Sequence, residues 1–313
     1  MKKERVEKLS PECLRINEKE VCNRIEEFIR KKVKEFERDG VIIGISGGID
    51  SAVCAFLAVK ALGSKKVFGL LMPEKDSKKE HFEDAKLVVK KLGIKSKVEK
   101  ITRILKEAGI YRLLKFPFFL PSKAREKIVR KAHEFYKRKT GKNPFASTLL
   151  GIKGDYARIL RKVTAYMRAK HRARMLLLYK YAELNNLLVI GCCNKTEDLT
   201  GWLVKWGDSA CDIAPLGGLY KTQVRQIASF LKVPKKIISK APSPDMLPGI
   251  TDEFGLGISY ELLDLILYGL EKKMKPATIA KQLNIKETEI KYAQELIQKS
   301  AHMRSLVPWP KLR

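Results

Sequence analysis

The sequence is short of acids: 35 Asp and Glu stand against 64 Lys and Arg, a formal net charge of +29 over 313 residues. None of its six cysteines (Cys13, Cys22, Cys54, Cys192, Cys193, Cys211) is spaced as CxxC. That argues against a zinc ribbon or a disulfide framework, and adjacent Cys192 and Cys193 suit neither. No apolar run approaches a membrane span. The first thirty residues are charged throughout and hold no apolar segment of signal-peptide length. There is no internal repeat. These absences disfavour a stapled secreted scaffold, a solenoid and a membrane-spanning chain, and they lead us to expect a soluble protein of the reduced cytosol.

Hydrophobic residues make up 45% of the chain, enough for a sizeable core. The excess of positive charge suits polyanionic ligands such as nucleotides or nucleic acid. A lysine-rich proteome or salt adaptation is equally compatible with it. The charge is uneven: from Tyr111 to Arg174 there are 19 Lys or Arg and only three acids, Glu126, Glu134 and Asp155. This region opens with the aromatic stretch KFPFFLPS at 115–122 and reads chiefly as a solvated basic face.

Hydrophobic periodicity predicts helices over 18–38, 50–62, 78–92, 122–139 and 155–184, and strands over 41–46, 67–72, 97–101 and 187–191. Further helices are predicted to open near Lys221 and to run over 234–240, 259–272, 276–283 and 286–302. Alternating strands and helices imply an α/β protein, a doubly wound parallel sheet with helices on both faces. One domain over 1–313, with a basic helical insertion at about 110–164, accounts for the order. The segment 276–297 has the cadence of a helix-turn-helix. Its second helix carries Glu287, Glu289 and Glu295, a poor composition for meeting DNA phosphates.

The first chemical signal is VIIGISGGIDS, from Val41 to Ser51. A turn from a strand into a helix gathers backbone N–H groups at the positive end of the helix dipole, where an anion binds. Gly44, Gly47 and Gly48 let that anion approach the backbone. Ser46 and Ser51 add hydroxyls, and Ile45 and Ile49 contribute backbone. The loop has neither the lysine of GxxxxGK[ST] nor the spacing of GxGxxG. Asp50 beside a phosphate calls for a cation between them, and magnesium prefers carboxylate and phosphate oxygens. The stretch resembles the SGGxDS loop of the ATP pyrophosphatases, which cleave ATP between its α and β phosphates.

The second signal is GCCNKTEDLTGWLVKWGDSACDIAPLGGLYKTQ, from Gly191 to Gln223. Glu197 follows a strand end, where a second magnesium ligand would face Asp50. Lys221 opens a helix, a natural phosphate partner. Here the sequence resembles the ammonia-dependent NAD synthetases, with their NKSE, KYGD and LYKTQV pieces in order. Agreement continues at MPEKDSKKEHFEDA (72–85), RARM (172–175), KAPSPDMLPGITDEFGLGISY (240–260) and SAHMRSLVPWP (300–310).

The resemblance implies a Rossmann-like sheet of the adenine nucleotide alpha hydrolase kind. It implies that Gly44, Ile45, Ser46, Gly47, Gly48, Ile49, Asp50 and Ser51 hold ATP together with Cys192, Lys221 and Ser243. Magnesium would sit on Asp50 and Glu197, and Asp50 and Lys221 would act in catalysis. Arg172, Lys205, Asp212, His302 and Met303 would hold deamido-NAD, the last two often across a homodimer interface. Ammonia would be the nitrogen donor, since the N-terminal extension is far too short for a glutamine-cleaving domain. The chain departs from the pattern at Cys192 (usually Thr), Met303 (Lys), Met167 and Arg168 (Gly-Asn), His171 (Ala) and Ile250 (Gln). These departures gather at the acceptor side. They leave open an ATP pyrophosphatase that adenylates a tRNA base, with Cys192 or Cys193 carrying sulfur, and a nucleotide-binding regulator that cleaves nothing.

Overall fold

The computed structural model describes residues 8–114, 120–244, 247–305 and 307–310. The aromatic stretch 115–119 and residues 245–246 of the 240–260 motif lie outside them. The elements run α1 (Glu18–Glu35), β1 (Gly40–Gly44), α2 (Ile49–Leu62), β2 (Val67–Leu71), α3 (Lys79–Leu92), β3 (Lys95–Val98), α4 (Thr102–Glu107), α5 (Ser122–Thr140), α6 (Ala157–Leu184) and β4 (Leu187–Ile190). They continue with α7 (Lys195–Thr200), α8 (Lys221–Phe230), α9 (Lys235–Ser239), α10 (Asp252–Leu256), α11 (Tyr260–Glu271), α12 (Pro276–Leu283) and α13 (Glu287–Arg304).

The four strands form one parallel sheet in the order β3-β2-β1-β4. Val41 pairs with Val67 on one side and Leu188 on the other. Alternate side chains serve two cores. Val41, Ile43, Val67, Leu71, Leu188 and Ile190 join the apolar faces of α1, α2 and α8. Ile42, Leu70 and Val189 meet Leu105 of α4 and Ala173, Leu177 and Tyr181 of α6. Burial on both faces is why these strands read as unbroken apolar runs.

The β3 strand lies at an edge and is Lys95–Val98, not 97–101. All four of its residues are exposed and it pairs only with β2, so no apolar alternation marks it in sequence. Ile101, read as part of the strand, is instead buried in the turn that enters α4. A third core holds no strand residue and centres on Leu263 and Ile266 of α11, Ile279 of α12, and Ile290, Ala293 and Leu296 of α13. The helix-turn-helix cadence of 276–297 is therefore a packing pattern, its apolar face spent on α11.

The sheet order sets the position of the site. From β1 the chain steps outward through β2 to β3, then returns through α4, α5 and α6 to place β4 on the other side of β1. The connections leaving β1 and β4 diverge, and ligands of open α/β sheets bind in the crevice that this creates.

Candidate active site

That crevice is a cavity of about 310 Å³. Ser46, Asp50, Glu197, Lys221 and Asp252 line it, as do the large side chains of Phe145, Met167, Met175 and Trp202. It therefore offers a charged group of residues suited to phosphates and an apolar wall suited to a ring.

The glycine loop between β1 and α2 is built by its small residues. Gly47 has φ +79°, and a Cβ there would stand 2.1 Å from the His81 carbonyl oxygen, so glycine is required on both counts. Gly48 caps α2 without a side-chain cap bond, which leaves the first N–H groups of the helix facing the crevice. The Ser51 hydroxyl accepts from the Ser46 amide (3.2 Å) and donates to the Gly48 carbonyl (3.1 Å), while the Ser46 hydroxyl accepts from the Gly48 amide (3.2 Å). The two hydroxyls lie 3.1 Å apart. The serines thus hold the loop's shape rather than standing free as anion donors. Lys240, which sequence reasoning did not single out, braces the loop from outside by donating to the Gly47 carbonyl (2.8 Å) and to Asp84 (2.6 Å). Burial pushes Asp84 up, but Lys240 and Lys236 outweigh it and hold the carboxyl below its usual range.

Asp50 and Glu197 do converge, and what lies between them is the Lys221 ammonium. Lys221 Nζ is 2.6 Å from Asp50 Oδ2, 3.1 Å from Glu197 Oε1 and 4.0 Å from Asp252 Oδ2. Each side chain is aimed by local structure. Asn194 caps α7, and Glu197 Oε2 closes the capping box on the Asn194 amide, leaving Oε1 for Lys221. Asn194 Nδ2 donates to Asp50 Oδ1 (3.0 Å), tying the two strand ends together. Lys221 is the first residue of α8, and its amide donates to the Thr196 hydroxyl, which donates to Asp264. Tyr260 OH donates to Asp252 (2.9 Å).

Three carboxylates around one ammonium leave the site short of positive charge. Burial, joined by Asp50 and Asp252 and opposed by Lys221, raises Glu197 to about 8. Burial alone would lower Lys221, but the three carboxylates overcome it and hold the ammonium protonated. Among the described residues no three His, Cys, Asp or Glu side chains gather in a way that could hold a metal ion.

Cys192 and Ser243 also line the cavity. Cys192 packs against the core, and Ser243 donates to the Ile250 carbonyl. All six cysteines are free. The acceptor-side residues named from the sequence lie elsewhere. Exposed Arg172 donates to the Lys205 carbonyl, and Lys205 donates to the carbonyl of exposed His302, so these three form a cluster outside the cavity. Asp212 accepts from the Val189 amide and from Tyr179 OH, at the edge of β4. Met303 is buried in the helical core. Sequence reasoning passed over Asp252 and the tie from Asn194 to Asp50. The Asn-x-x-Glu capping spacing signals the first half of that tie, but nothing local signals its partner.

A glycine loop at the switch point of a parallel sheet, faced by a buried lysine between acids, is the arrangement of a nucleotide-binding α/β enzyme. The NAD synthase family model matches residues 21–111 and 122–307, leaving 112–121 of the basic region outside it. The chain is 41% identical over 286 residues to the NH3-dependent NAD+ synthetase of Coprothermobacter proteolyticus, spanning 88% of this chain and 95% of that protein. It is 41% identical over 293 residues to that of Methanocaldococcus jannaschii, 94% of this chain and 97% of that one. Among solved structures it is similar to the NH3-dependent NAD synthetase of Campylobacter jejuni in complex with nitrate (TM-score 0.66, 27% identity, 95% of this chain and 100% of that one). It is also similar to the NMN synthetase of Francisella tularensis (TM-score 0.69, 26% identity, 95% and 100%). The chain belongs to the NAD synthase family.

Proposed function

We propose that this chain makes NAD from deamido-NAD, ammonia and ATP, releasing AMP and pyrophosphate. The observation that carries the reading is the meeting of the glycine loop, Asp50, Glu197 and Lys221 at the switch-point cavity. The nicotinate carboxylate attacks the α phosphorus of ATP, the bond to pyrophosphate breaks, and an acyl-adenylate forms. Ammonia then attacks the carbonyl carbon and AMP leaves. The N–H groups at the start of α2 hold the phosphates, and Lys221 faces the charge that grows on the leaving pyrophosphate. Catalysis of this kind rests on positioning and preorganised charge.

Pyrophosphate departure implies a magnesium ion, and Asp50 and Glu197 fit one. Both carry hard oxygen donors on the cavity wall beside Lys221, three carboxyl groups there outnumber one ammonium, and Asp252 Oδ1 is buried without a protein hydrogen-bond partner. Two carboxylates with phosphate oxygens and water make a suitable shell. When bound, the ion neutralises charge on the pyrophosphate.

With magnesium-ATP, ammonium and deamido-NAD, the protein should release AMP and pyrophosphate in equal amounts and form NAD. Bulk tRNA in place of deamido-NAD should leave release at background. ADP and orthophosphate as products, or a tRNA-dependent rate matching that with deamido-NAD, would overturn the reading.

The reading extends to a homodimer, in which the exposed cluster of Arg172, Lys205 and His302 meets the acceptor substrate of a second copy. Light scattering at micromolar concentration should give twice the 35.7 kDa chain mass. A monomer fully active at that concentration refutes the extension.

A further inference from the structure

The chemistry above gives no part to a histidine in the cavity wall. His171, on α6, lines the cavity with 13% of its side chain exposed. Its Nδ1 lies 3.2 Å from Asp208 Oδ2, while Asp208 Oδ1 accepts the Val204 amide at 2.6 Å. The carboxylate therefore has both oxygens engaged, one of them in holding the proton on Nδ1. A Cβ at Gly207 would stand 2.9 Å from His171 Cβ, so the loop closes tightly on the histidine. The other ring nitrogen, Nε2, is buried and has no hydrogen-bond partner in the protein. The arginines around it on α6 are turned to backbone carbonyls: Arg168 to Thr148, Arg172 to Lys205 and Arg174 to Met72.

With its tautomer set by Asp208, Nε2 presents a lone pair and asks for a donor. Of the reactants, both nucleotides arrive rich in acceptors. Ammonium carries only donors, and its positive charge suits a ring backed by a carboxylate. Like a lysine amine, it is almost wholly protonated at neutral pH and has no lone pair with which to attack. We propose that His171 Nε2 binds the ammonium ion and takes its proton, delivering ammonia to the acyl-adenylate. This rests on the reaction above. An N–H bond of ammonium breaks, its electron pair stays on nitrogen, and Nε2 gains the proton. The nitrogen then bonds to the carbonyl carbon, AMP leaves with the electrons of the C–O bond, and the new amide sheds its extra proton to water. His171 returns its own proton to water.

The two half-reactions separate the possibilities. In the variants His171→Ala and His171→Gln, exchange of labelled pyrophosphate into ATP, with deamido-NAD and without ammonium, should stay within about twofold of the unsubstituted protein. The kcat/KM for ammonium should fall about a hundredfold or more, the lower range for loss of a general base. Hydroxylamine is neutral at the same pH and needs no deprotonation, so hydroxamate should form at close to the unsubstituted rate. An equal fall with both nucleophiles, unchanged ammonium kinetics, or loss of exchange in both variants overturns the proposal. Exchange missing from the unsubstituted protein overturns instead the adenylation reading on which it rests.

Discussion

Lys221→Met should remove ATP cleavage and cost about 3–5 kcal/mol of folding stability, the usual penalty for breaking a buried ion pair from one side. Methionine roughly matches the lysine in length, so the loss comes from charge. Lys221 is 1% exposed and is the cation between Asp50 and Glu197, with Asp252 behind them. Without it, three carboxylates face one another in a buried site. The sign of the pH dependence follows from Glu197, which burial holds at about 8 against an ordinary 4.5. Between those values the folded state binds more protons than the unfolded one, so this group's contribution to stability is full below about 4.5 and is lost as pH rises towards 8. Urea unfolding at pH 5 and pH 8 should show the methionine variant regaining stability at the lower pH. A variant as stable as the parent at pH 8, or one that still releases pyrophosphate at a tenth of the parent rate, would refute the role given to Lys221.

Asp50→Ala should lower pyrophosphate release by about a thousandfold, the scale on which removing one preorganised electrostatic group acts, while the protein stays folded. Asp50 is the more solvent-reached partner, with 17% of its side chain exposed, and Lys221 keeps Glu197 when it is gone. Asp50→Asn sharpens the test, because it retains an oxygen for the Asn194 amide but loses the charge. If charge at position 50 is what matters, both variants fail equally and both unfold near the parent temperature. Activity restored by asparagine would reduce Asp50 to a tie between the two strand ends.

Much of this architecture was legible in the sequence because local physics writes it there. The glycine loop announced itself, since only Gly47 tolerates φ +79° with a carbonyl 2.1 Å from the would-be Cβ. The central strands were legible because both faces are buried, and the long helices because one face is. Edge strand β3 was misplaced by two residues at its start and three at its end for the opposite reason: every residue in it is exposed. The short helices α4, α7 and α10, of five or six residues each, went unpredicted, being too brief to display a helical period. Glu197 was expected to face Asp50 across a magnesium ion; the two acids do approach one another, but on the ammonium of Lys221, which the sequence marked as a phosphate partner and catalytic residue and not as the group between them. Met303, named for the substrate, proved to be a core residue of α13.

Residue order alone therefore marked the central strands, the long helices, the glycine loop and the family, because each depends on spacing along a single segment. Sheet order was beyond its reach: β4 stands beside β1 although 147 positions separate Leu187 from its partner Gly40, and packing of α6 across β1 and β4 puts it there. That adjacency brings Asn194 and Glu197 to Asp50, and it places α8 so that Lys221 enters between them. Electrostatic coupling depends on distance in space, and these charges are neighbours only once the helices have closed over both faces of the sheet.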